Sequence, residues 1–367
     1  MIREEYEELE ERLLSPLATL SKNSKGRAVP EEKDPYRTDF QRDVDRIIYS
    51  KAFRRLQYKT QVFIAPKGDH YRNRLTHTLE VMAISRSISR SLRLNPDLTE
   101  AIAVGHDLGH SPFGHAGEEA LNNKVKEYFS DMQFVHTEQS LRVVDLLEKR
   151  TRSDGNEVFG LNLTYEVREG IAKHSKGLKD LKDFSTDALP STLEGQVVRL
   201  SDRIAYLHHD LDDAIRAKIV KENDVPKFVK NVLGDNNSKR LSTLILNVIE
   251  ESRNKKRITI SEEVEKAMDE WKNFLTEKVY VGSEPKKEEE KVKIIISFLF
   301  DYYMENIQKI KDYLYSHPII LQTKDPVSYL KENKREQVRV IADYISSMTD
   351  RFAIELVQSI MFPNPIS

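Results

Sequence analysis

AIAVGHDLGHSPFGHAGEE, residues 101–119, gathers His106, Asp107, His110, His115 and Glu118 within thirteen positions. The four residues before Gly105 are apolar (Ala101, Ile102, Ala103, Val104), so the string starts at the buried end of a helix. Gly105, Gly109, Pro112 and Gly114 then break that helix into a tight turn. Imidazoles and a carboxylate crowded on bent, buried backbone are costly without compensation, and a metal ion is the usual compensator.

Outward from this stretch the periodicity is helical. Helices are expected at 2–20, 39–58 and 75–92, followed by one running into His106 and capped by Asp97 or Thr99. Further helices are expected near 115–128, 137–149, 165–174, 193–219, 238–253, 261–277, 288–313 and 335–361. Residues 151–164 hold a short extended pair. Loops are expected around Pro66, Gly68, Asp69 and His70, before Leu193, at 234–237, at 282–287 and at 318–326. Neither sustained period-two alternation nor strand–helix alternation occurs, which predicts an all-α fold. The chemistry-bearing residues fall within 1–220, and 221–367 reads as a helical C-terminal region.

The 367-residue chain is 39% apolar and 32% charged, with a formal net charge of −2, so nothing draws it as a whole to nucleic acid or membrane. Locally, 22–59 carries eleven Lys/Arg against six Asp/Glu, a +5 segment suited to a phosphate chain or to a solvated helix face. There is no cysteine, which excludes disulfides, thiolate metal sites and cysteine nucleophiles. The start, MIREEYEELEERLL, lacks the form of a signal peptide, and the most apolar run, IIISFLF (294–300), falls far short of the roughly 20 residues that span a bilayer. A soluble, cytoplasmic protein is the expectation.

Nine of the ten histidines lie between His70 and His209. Adjacent His106 and Asp107 point about 100° apart on a regular helix, so both reach one ion only where the helix ends. Two further ligands must come from elsewhere, and His77 and Asp202 are the candidates. Such a mixed His/carboxylate set suits Mn²⁺, Mg²⁺, Fe²⁺, Co²⁺ or Ni²⁺ better than a structural zinc. The string 106–110 imitates H-E-x-x-H with Asp for Glu, but Gly109 and Pro112 deny it the intact helix a zinc protease needs. There is no Gly-Lys phosphate loop, no G-x-G-x-x-G and no G-x-S-x-G elbow.

His77, His106-Asp107 and Asp202 match the H…HD…D signature of HD-domain metal-dependent phosphohydrolases. Within that superfamily the chain resembles the deoxynucleoside triphosphate triphosphohydrolases, the dGTPase-like family. The supporting strings are FRRLQYKTQV (53–62), NRLTHTLEV (73–81), HDLGHSPFGHAGEEAL (106–121), FVHTEQSLR (134–142), VVRLSDRIAYLHHDLDDA (197–214) and ADYISSMTDRFA (342–353). The resemblance implies an HD-type core in 1–220 and cleavage of a dNTP, dGTP among them, into deoxynucleoside and intact triphosphate. It implies a divalent metal on His77, His106, Asp107 and Asp202. His110 would contact phosphate oxygens. His115, paired with Glu118 one turn later, would move a proton to the leaving 5′-oxygen or from the attacking water, and both directions remain open. Position by position, Arg74 and Arg203 match phosphate contacts, Gln61 a 3′-hydroxyl contact, and Tyr206 and Asp210 the residues that read the deoxyribose. Lys173-His174 is a candidate phosphate contact, and His136 and Glu138 receive no role.

Amphipathic helices at both ends and the family pattern point to a homo-oligomer, with nucleotide effectors between subunits implied by resemblance alone. Two rival readings stand beside this one. The first is an HD hydrolase of another nucleotide, cyclic or 5′-monophosphate. The second is a sensor without turnover that binds nucleotides, or single-stranded nucleic acid through 22–59.

Overall fold

The computed structural model of the chain describes residues 2–62, 71–152, 154–175, 189–281, 285–317, 321 and 323–363. The loop expected around Pro66, Gly68, Asp69 and His70 lies outside the described residues, as do 176–188 before Leu193 and parts of the loops expected at 282–287 and 318–326. Among the described residues there are seventeen α-helices and a single two-stranded sheet, so the fold is all-α. That sheet pairs Lys149–Thr151 with Glu157–Phe159, antiparallel. No described helix is long and apolar enough to cross a membrane.

The chain forms two compact units, each drawn from three stretches: Met1–Ile48, Leu75–His106 and Asn162–Lys286 in one, Tyr49–Arg74, Asp107–Leu161 and Lys287–Ser367 in the other. Residues 220 and 221 both fall inside the first unit.

The first unit is built around the Pro96–Gly105 helix, which packs on the Asp39–Ile48, Tyr165–Lys173 and Leu193–Arg216 helices. Its start is fixed by Asn95, whose side chain accepts from the amides of Asp97 and Leu98 at 3.1 and 3.3 Å, with Pro96 at the first helical position. Asn95, rather than Asp97 or Thr99, is therefore the cap. Small residues let neighbours come close: a Cβ on Gly105 would stand 2.5 Å from Ile171 Cδ1. Apolar burial of Leu98, Ile102, Val104, Val197 and Leu207 supplies the driving force. Two carboxylates trapped beside them are satisfied. Glu194 accepts from Thr19 and from the Asn95 amide at 3.0 Å, and buried Asp43 takes Arg27 together with the Thr164 amide and hydroxyl at 2.8 Å.

The second unit has its own core, in which Phe113, Leu121 and Phe134 meet Ile296, Phe300, Leu330, Val338 and Ile345. The Gly114–Tyr128 helix is entered through two left-handed residues, Phe113 (φ 65°) and Gly114 (φ 60°), which turn the chain sharply out of the HDLGHSPFG string.

Several helices are shorter than their periodicity suggests. The first is Ile2–Leu13 and stops before Pro16. The 39–58 pattern divides into Asp39–Ile48 and Lys51–Arg55, where Ser50 caps the second piece by accepting from the Phe53 amide. The 335–361 pattern divides into Lys334–Ser346 and Asp350–Met361, the latter capped by Thr349. Lys227–Leu233 and Pro326–Glu332 are helices that the periodicity did not predict.

Candidate metal centre and the His110–Glu118 cluster

In the first unit three buried imidazoles converge on one carboxylate. His77 lies in the first turn of the Arg74–Leu92 helix, His106 closes the Pro96–Gly105 helix, and His174 closes Tyr165–Lys173. Asp202 projects from the Leu193–Arg216 helix. His77 Nε2 is 3.1 Å and His106 Nε2 3.9 Å from Asp202 Oδ1, and a ligand atom of His174 lies within 4.8 Å of those of His106 and Asp202. Two donors each about 2.1 Å from a common ion stand about 3.0 Å apart at right angles and about 4.2 Å apart in line. Both measured separations fall in that interval, so this set fits a divalent cation.

The tautomers fit as well. His106 Nδ1 bonds the Ala103 carbonyl at 2.6 Å and His174 Nδ1 the Ile171 carbonyl at 2.7 Å. A carbonyl only accepts, so each Nδ1 carries a proton, which leaves Nε2 as the ring atom able to face a cation. Burial alone would raise the Asp202 carboxyl, but its contact with His77 and the neighbouring His106 and His174 rings outweigh it. They hold it well below the ordinary carboxylate range, so Asp202 is ionised.

In the second unit the remaining residues of the string form a polar cluster. Asp107, the residue after His106, takes Arg74 Nη1 at 2.8 Å and faces His110 Nε2 at 3.1 Å. His110 stacks on His136, with ring centroids 4.0 Å apart and planes 15° apart. Glu118 Oε1 accepts from the amide and Nδ1 of His136 at 2.8 and 2.9 Å, and its other oxygen is 3.7 Å from His110 Nδ1. The carboxylate that the sequence pairs with His115 is thus held by His136. His115 itself is exposed, its ring centroid 6.1 Å from that of His110.

Charge is sorted within this cluster. Burial would raise Glu118, but His136 and then His110 reverse it and hold the carboxyl low. His136 is raised despite its burial, because Glu118 favours the imidazolium. His110 is driven well down by burial and by the charges of Arg74 and His136, so it is the neutral ring of the pair.

The backbone of the turn is pinned. Gly109 donates to Ser140 Oγ at 2.8 Å, and a Cβ there would stand 2.1 Å from the Ser140 amide nitrogen. Buried Lys59 donates to the carbonyls of His110 and, at 2.8 Å, Ser346. Asp350 accepts from the amides of Phe113 and Thr60, both at 2.8 Å.

Of the other expected contacts, Gln61 and Asp210 are buried and Tyr206 is half-buried. Arg203 is paired with Asp269 at 2.5 Å and Lys173 with Glu169 at 2.8 Å. His136 received no role from the sequence and His174 only a weak one, because both are brought in by tertiary packing rather than by local spacing.

The HD domain family matches residues 74–207, which span His77 to Asp202, and the phosphohydrolase-associated domain matches 258–359. These matches and the histidine–aspartate site define an HD-domain phosphohydrolase. Full-length relatives narrow the class. The chain is 51% identical to a deoxyguanosinetriphosphate triphosphohydrolase-like protein of Caldanaerobacter subterraneus subsp. tengcongensis, over 99% of this chain and 97% of that one. Proteins of the same description from Desulfatibacillum aliphaticivorans and Clostridium tetani are 48% and 43% identical, covering 100% and 99% of this chain and 99% and 97% of theirs. The chain belongs to the deoxyguanosinetriphosphate triphosphohydrolase-like family.

Proposed function

We propose that this protein hydrolyses deoxynucleoside triphosphates, dGTP among them, to deoxynucleoside and inorganic triphosphate. The observation that carries the reading is the convergence of His77 and His106 on ionised Asp202 at donor separations that suit a divalent cation. Asp107, covalently next to His106, is the fourth ligand proposed, and His174 stands close enough to join or to hold a bound water. When bound, the cation supplies Lewis acidity toward a phosphoryl oxygen and offsets charge that grows in the transition state.

The remaining roles fall to side chains. Neutral His110 offers a lone pair and His136, favoured as an imidazolium by Glu118, a proton to give, while Glu118, held low, keeps His136 in place. Exposed His115 is accessible to a leaving group or an attacking water. Arg74 and Arg203 are proposed to meet phosphate oxygens, each first giving up or sharing its present carboxylate partner. Gln61, Tyr206 and Asp210 are proposed to meet the sugar, with Tyr206 packed under the 2′-carbon to exclude a ribose hydroxyl. On the Ile2–Leu13 helix, Ile2, Tyr6, Leu9 and Leu13 are exposed at steps of four, three and four, which supports assembly with further copies.

The test is product analysis with dGTP and Mn²⁺. Release of deoxyguanosine together with intact triphosphate supports the reading. Stepwise release of phosphate would place the chain with HD hydrolases of other nucleotides, and no turnover of any dNTP would favour a sensor.

A further inference from the structure

We propose that His209 is a positioning residue that makes His77 a metal ligand, through a buried relay running Asp210–His209–His77. The inference rests on the metal reading above and adds a residue to which that reading gives no part. His209 follows Asp202 by seven residues on the Leu193–Arg216 helix, two turns further along the same face. One helix therefore holds both nitrogens of the His77 ring. Asp202 Oδ1 stands 3.1 Å from Nε2, and His209 Nε2 stands 2.8 Å from Nδ1. The two rings meet edge to face, with centroids 5.0 Å apart. Beyond them, His209 Nδ1 is 2.6 Å from Asp210 Oδ1, a close electrostatic contact without hydrogen-bond geometry. His209 and Asp210 have no exposed surface and His77 retains 2%, so bulk water does not compete for these contacts.

Proton direction gives the relay its consequence. A hydrogen bond between two neutral imidazoles needs one N–H and one lone pair. If His77 donates from Nδ1, its lone pair lies at Nε2 beside Asp202, ready for a cation. His209 must then accept at Nε2 and carry its own proton on Nδ1, facing the Asp210 carboxylate. If the bond runs the other way, the His77 proton sits on Nε2 and no lone pair is offered. The negative charge of Asp210 favours the first arrangement, because it attracts a proton carried on His209 Nδ1 and repels a lone pair there. Metal-bound histidines are commonly oriented by a group on the second ring nitrogen, and losing that group typically weakens metal affinity 10–100-fold. A ribose contact by Asp210 would have to use Oδ2.

The experiment is a competition titration of the metal-free protein with Mn²⁺ against a chromophoric chelator, for wild type, His209→Met and His209→Gln. Melting of the metal-free proteins is measured alongside. Methionine fills similar space without a strong acceptor, whereas the glutamine amide oxygen can accept from His77 Nδ1. The expected result is 10–100-fold weaker Mn²⁺ binding by H209M and binding within a few-fold of wild type by H209Q. Should H209M fold poorly, H209Q still decides, because the relay requires it to retain affinity. Wild-type affinity in H209M, or an H209Q as weak as H209M, would overturn the relay while leaving the metal site standing. Failure of the wild-type chain to take up Mn²⁺ would overturn the metal reading itself.

Discussion

Replacing Gly109 with alanine would put a methyl carbon 2.1 Å from the Ser140 amide nitrogen, 2.4 Å from the Gln139 carbonyl carbon and 2.6 Å from the His136 carbonyl oxygen. All three are backbone atoms, so no side chain can swing away. Restoring an ordinary contact of 3.4 Å to Ser140 requires a shift of about 1.3 Å, the difference 3.4 − 2.1. The segment that must move is the His136–Arg142 helix, whose first residue holds Glu118 at 2.8 and 2.9 Å and stacks on His110. A displacement of that size breaks the Glu118 hydrogen bonds. Overpacking of this kind costs about 1–3 kcal/mol, and a misplacement of about 1 Å at a catalytic group costs about 100-fold in rate. For a unit of this size the first figure corresponds to a fall in Tm of roughly 2–12 °C. The assays are thermal melting and dGTP turnover. Gly155→Ala is the control, since nothing lies within 4 Å of its Cβ position and only its left-handed backbone (φ +83°) is strained. G155A should lose about 1 kcal/mol and keep full turnover. A G109A protein melting within a degree of wild type, with turnover within two-fold, would refute the argument.

Two further predictions concern protonation and stability. In ¹⁵N-resolved NMR of the imidazoles, His136 should titrate above 6.5 and His110 below it, since Glu118 stabilises one cation while burial, Arg74 and His136 oppose the other; the reverse order would remove the basis for calling His110 the neutral partner. Lys59 is pushed down to about 7, first by burial and then by Arg55 and Arg74, with Asp350 and Asp107 opposing. The unfolded chain therefore holds the extra proton between about pH 7 and 10.5, and wild-type stability should rise with pH across that window by roughly 1 kcal/mol per unit. Lys59→Met should flatten this rise in melting experiments at pH 7 and 9, and an equal slope in both proteins would contradict the assignment.

What the sequence made legible follows from what is local. Helix periodicity, the glycines and proline of the 105–114 turn and the H…HD…D spacing all act over short stretches, and each leads to the observed helices or to the His77–His106–Asp202 convergence. The helix breaks were less visible. Neither the 49–50 break nor the 347–349 break holds a glycine or proline, and only the caps Ser50 and Thr349 mark them. At Asn95-Pro96 the signal was present, because proline at the first helical position makes its predecessor the cap. His136, His174 and His209 were beyond reach by spacing, since each acquires its partner through packing of distant segments or across turns of a long helix. The hold of His136 on Glu118 was hidden for a related reason: spacing shows only neighbours a turn apart on one helix, and a carboxylate also takes the donors that burial brings near.

The most direct test of the central claim is a crystal structure of the protein soaked in Mn²⁺, with data collected for the manganese anomalous signal. The account predicts a strong anomalous peak at bonding distance, about 2.0–2.3 Å, from His77 Nε2, His106 Nε2 and an Asp202 oxygen. A fully soaked crystal with no peak among those three side chains, or with manganese bound only elsewhere, would contradict it.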